Sequence, residues 1–79
     1  MLNVENLQFG IELLQKSNEN HQHSINSWKE CIINDLQSQT LDEITINVID
    51  SRLKQIQKLI TEIEKNESQI RLIQQIIKG

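Results

Sequence analysis

Proline, tyrosine and alanine are absent from this chain, and glycine occurs only at Gly10 and Gly79. The usual devices of tight turns, sheet corners and phosphate-binding loops are therefore missing, which argues against all-β and α/β designs. A single cysteine, Cys31, excludes an internal disulfide and suits a reducing, cytoplasmic setting. The longest apolar run is Cys31–Ile33, far below the roughly 18 residues of a membrane span. The first ten residues carry no Lys or Arg and no continuous apolar segment, so neither a membrane crossing nor a secretory signal is expected. Eight basic and eleven acidic residues, interleaved along the chain, give a net charge of -3. That balance leaves no electrostatic footprint for nucleic acid.

What remains is aliphatic and polar. Apolar residues make up 37% of the 79 positions, and 14 of them are Ile, 9 are Leu and 2 are Val. Asn and Gln together number 18. A chain of this length is one domain, residues 1–79, near the size where a single core gives only marginal stability.

Val4, Leu7, Ile11 and Leu14 recur at steps of 3, 4 and 3, the seam spacing of a helix packed on another helix. The phase continues through Asn18, His21, Ile25, Trp28, Ile32 and Asp35. Between Leu14 and Ile25 no side chain is apolar, and the Asn and Ser there are poor helix formers. A loop has no reason to return Ile25, Trp28 and Ile32 in phase, so one helix is expected over about 3–37. A three-helix bundle broken near Asn18 to Ser24 is the alternative.

Thr40, Leu41, Asp42 and Glu43 have the form of a capping box, with a hydroxyl at the cap and a carboxylate three residues later. A second helix is therefore expected over about 41–78, after a turn at about 38–40. Its apolar series runs Ile46, Ile49, Leu53, Ile56, Ile60, Ile63, Ile70, Ile77, with Glu67 and Gln74 holding places in the frame. So short a connection makes the pair an antiparallel hairpin, all-α and coiled-coil-like. Arms of roughly 35 residues rise about 50 Å, whereas a compact domain of this length is nearer 30 Å across. The hairpin is thus expected to be completed to a helical bundle by self-association, as a dimer first of all, or by a partner.

Outside the narrow seam lie Phe9 and Leu13 near the start, and Leu59, Leu72, Ile73 and Ile76 near the end. In an antiparallel hairpin these meet at the open end, so Phe9, Leu13, Leu72 and Ile76 are the candidate protein interface, with Trp28 as a possible anchor. Asn18 and His21 are candidates for a polar layer in the seam, a device that sets register and partner number.

The sequence offers little to carry chemistry. His21 and His23 stand two apart and point to different sides of a helix, whereas helical metal pairs stand three or four apart. Cys31 has no His or acid placed by a motif to activate it. Arg52, Lys54 and Lys58 are flanked by Asp50, Glu62 and Glu64, as on a solvated charged face. No catalytic, cofactor or metal site is expected, and the chain reads as a non-enzymatic protein-interaction module: an adaptor, small chaperone or regulator. Alternatives from other classes are a dimeric helical nucleic-acid-binding regulator and a structural subunit of a helical assembly. In outline the hairpin resembles several bacterial interaction proteins, among them the small co-chaperones of type III secretion needle subunits; the likeness is one of outline and rests on no motif.

Overall fold

A computed structural model describes residues 3–37 and 42–79, which form two helices, α1 over Val4–Leu36 and α2 over Glu43–Lys78. The expected turn at 38–40 lies outside the described residues. Asn3 caps α1, its Oδ1 accepting from the backbone N–H of Asn6 at 3.1 Å. The cap of α2 is Asp42 and not Thr40: its Oδ1 accepts from both the backbone N–H and the hydroxyl of Thr45, each at 2.8 Å. Asp42 is the better cap because an ionised acceptor at a helix N-terminus also meets the positive end of the dipole.

The helix α1 runs without a break through Asn18 to Ser24, which sets aside the three-helix alternative. The helices lie antiparallel, since Asn18 of α1 meets Asn66 and Asp35 meets Arg52. The molecule measures 62 × 14 × 13 Å with a radius of gyration of 18.0 Å. A compact chain of this length has a radius of gyration of only about 12 Å.

Burial shows which residues face the partner helix. In α1 the less exposed positions include Leu7, Ile11, Leu14, Asn18, His21, Ile25, Trp28, Ile32 and Asp35, the heptad frame that the spacing predicts. In α2 half of that frame needs correction. Ile49, Ile56, Ile63, Ile70 and Ile77 do face α1, but their companions are Thr45, Arg52, Leu59, Asn66 and Ile73. Ile46, Leu53 and Ile60, expected in the seam, are exposed, as are Glu67 and Gln74. Leu59 and Ile73, expected on the flank, belong to the seam. With seam positions written a and d, the a series of α2 is Ile49 and its heptad equivalents, the d series is Thr45 and its equivalents, and Ile46, Leu53 and Ile60 fall at e.

A single seam gives almost no core. Among the described residues only Ile25, at 3% exposure, and Ile56, at 8%, are buried apolar side chains. The chain exposes 6296 Å², against about 5,000 Å² for a compact monomer of its mass. Gly10 sits in the middle of a helical run, and a Cβ built there meets nothing within 4 Å.

Ile56→Ala is expected to lower stability by about 2 to 4 kcal/mol, as truncation in a packed site does. Ile44→Ala, at a residue 74% exposed, stays within about 0.5 kcal/mol; equal losses in denaturant titrations would place the seam elsewhere. Gly10→Ala raises stability by about 0.5–1 kcal/mol, since the helix gains propensity and no atom clashes. The Asp42 carboxyl is held below the ordinary aspartate value of 3.8, first by the Thr45 N–H and then by its hydroxyl. This cap therefore stabilises the helix fully above the unfolded value and loses its contribution as pH falls through the lower folded one. A carboxyl titration by NMR that put Asp42 at or above 3.8 would contradict the cap.

Candidate interaction faces

The polar residues inside the seam come first, because they fix how the helices are matched. Asn66, at 8% exposure the one buried polar side chain among the described residues, donates from Nδ2 to Asn18 Oδ1 at 2.9 Å and reaches Ser17 Oγ at 3.5 Å. Ser17 Oγ in turn lies 3.3 Å from His21 Nε2, one turn along α1. Asn18 and His21 thus share one hydrogen-bonded cluster with Ser17 and Asn66. Every buried side-chain polar atom among the described residues has a partner, as burial in a low dielectric requires.

A second cross-link stands nearer the turn. Asp35 lies in the last turn of α1, where the dipole disfavours a negative charge. Arg52 Nη1 pairs with its Oδ2 and also donates to the carbonyl of Cys31 at 3.2 Å. Arg52 is therefore a seam residue tied to the end of α1, not part of a solvated basic face. Lys54 pairs with Asp50 at 3.0 Å along the exposed surface of α2, so these two bases do not form an open phosphate-binding cluster. Sequence reasoning missed Arg52 and Asn66. Their signal was the pair of polar residues Asp35 and Asn18 in the α1 seam, each of which needs a polar partner at the same height on α2.

The hairpin presents two broad sides. On one, the a and e residues of both helices lie together: Gln15, Asn18 and Gln22 share a shallow depression with Ile63, Glu67 and Ile70. On the other, d residues meet g residues, as where Trp28 lines a depression with Val48, Ser51, Arg52 and Gln55.

The a/e side divides sharply along its length. Towards the turn, its e positions on α2 are Ile46, Leu53 and Ile60, joined on α1 by Leu36 and the adjacent Ile33, and all five are exposed. Towards the chain ends the e positions are Gln8, Gln15, Gln22, Glu67 and Gln74. That polar half is flanked on α1 by Glu5, Glu12 and Glu19, with Arg71 and Lys78 the bases on α2. The five aliphatics present roughly 450 Å² of apolar surface, within the size range of functional patches on monomers.

The open-end residues lie elsewhere. Phe9, Leu13, Leu72 and Ile76 are each at least half exposed, but their heptad positions are outward or on the d/g side. They form two i, i+4 pairs, one on each helix. Trp28 is only partly exposed and sits in the seam. Among the described residues no group of three or more His, Cys, Asp or Glu could hold a metal, and no helix is long and apolar enough to cross a membrane.

Asn66→Leu is expected to cost about 1 to 3 kcal/mol, since it strands Asn18 without its partner. The double change Asn18→Leu with Asn66→Leu should recover that loss or exceed it, at the expense of a single register. A double variant as unstable as the single one, in the same denaturant titration, would mean that the two amides are not coupled. No family model, curated protein or solved structure matches this chain.

Proposed function

We propose that the chain is a non-enzymatic protein-interaction module, a helical hairpin that acts by packing its exposed aliphatic side against helices of another chain. The observation that supports this reading most directly is the imbalance in the fold: among the described residues twelve large apolar side chains are exposed and two are buried. Over its first half α2 is apolar at e as well as at a, with Ile46, Leu53 and Ile60 beside Ile49 and Ile56, a face wider than the single helix packed on it covers. Helix-to-helix recognition is the mode such a face serves. The free Cys31 fits a reducing, cytoplasmic setting. An adaptor, a small chaperone or a regulator would each use the face in the same way, by covering apolar surface that neither molecule covers alone. With Arg52 engaged by Asp35 and the Cys31 carbonyl, the nucleic-acid alternative gains no support.

Sedimentation equilibrium at micromolar concentration tests the reading. The expected result is a mass above the 9.3 kDa of one chain, or a chain at that mass that lacks a cooperative transition until a partner is supplied. A cooperatively melting species of 9.3 kDa would show that the hairpin is complete by itself.

A further inference from the structure

The a/e side of the hairpin raises the question of what covers it, and its pattern points to one occupant. Resting on the interaction-module reading, we infer that the a/e side near the turn is covered by a second copy of the chain, related by a twofold axis that crosses the hairpin at Leu53. Ile46, Leu53 and Ile60 are spaced by seven residues on one helix face, so the stripe is symmetric about its middle and spans about 21 Å. A half-turn about Leu53 lays Leu53 on its own copy and Ile46 on the copy's Ile60. Such a contact is isologous and closes after two chains, without leaving a repeating edge.

Polarity selects among the possible axes. An axis along the hairpin would bury the polar chain-end halves on each other, with Gln8, Gln15, Gln22, Glu67 and Gln74 of both copies in the contact and no apolar gain to offset their desolvation. The crosswise axis sends those halves in opposite directions, leaving them in water. The overlap then runs from the turn to about the height of Asn66, a length of about 40 Å. Over two helices, each about 10 Å across, this covers roughly 800 Å² per chain, the size of a standard stable interface. Lys29 is the one charged residue at an e position inside the overlap. Its stem is long enough to lie along the apolar surface with the ammonium in water.

Cross-linking on the full chain tests this, with Cys31→Ser removing the native thiol. Leu53→Cys is expected to cross-link to itself through a short bis-maleimide, and a mixture of Ile46→Cys with Ile60→Cys chains to cross-link severalfold more than either alone. Sedimentation should give twice the chain mass of 9.3 kDa. A dimer that cross-links through Leu72→Cys and not through Leu53→Cys would overturn this assignment and leave the interaction-module reading standing. So would a chain that stays at 9.3 kDa and lacks a cooperative melt. A single chain that melts cooperatively at that mass would overturn both.

Discussion

A helix packed against one neighbour can cover only one of its sides, and that limit governs everything else in this molecule. Two helices make one seam, and one seam along a molecule 62 Å long buries little: Ile25 and Ile56 are the only buried apolar side chains among the described residues. The same number of residues in a three-layer bundle would form a core. Here the length that makes the hairpin thin also leaves Leu53, Ile60 and their neighbours facing solvent in an ordered row. The exposed face is thus a consequence of topology before it is a sign of function.

Within so shallow a seam the polar contacts have unusual weight. Aliphatic side chains slide past one another with little change in energy, and a hairpin built from Ile alone could adopt several registers. The Asn66–Asn18 bond and the Arg52–Asp35 pair stand well apart along the seam and each matches one residue to one residue. A shift by a turn would break both and leave partly buried groups unpaired. These contacts contribute little net stability, but they penalise the alternatives. They also explain why α1 remains helical where it has no apolar residue: Ser17, Asn18 and His21 meet polar partners in place of apolar ones.

Much of the architecture is legible in the sequence, and the place where it misleads is instructive. The α1 frame is readable because Ile25, Trp28 and Ile32 return in the phase set by Leu7, Ile11 and Leu14. The α2 frame is ambiguous because both the Arg52 series and the Leu53 series alternate by 3 and 4 with Ile49 and Ile56. Hydropathy favours Leu53, yet the structure places Arg52 against α1 and Leu53 in the open. What decides is the other helix, whose Asn18 and Asp35 demand partners that only Asn66 and Arg52 supply. Periodicity within one helix carries no such information. The same limit hides the exposed stripe, since spacing alone reads Ile46, Leu53 and Ile60 as seam residues and leaves Phe9, Leu13, Leu72 and Ile76 as the visible apolar excess.

If the second layer comes from another molecule, folding and association are one equilibrium, and the stability of the hairpin depends on how much protein is present. Thermal melts followed by circular dichroism over a hundredfold range of chain concentration test this most directly. A single cooperative transition is expected, its midpoint climbing by several degrees, in keeping with about 2.7 kcal/mol for that dilution range. A cooperative midpoint that stays fixed across the range would contradict it, and would mean that one seam and two buried isoleucines are enough to hold the hairpin together.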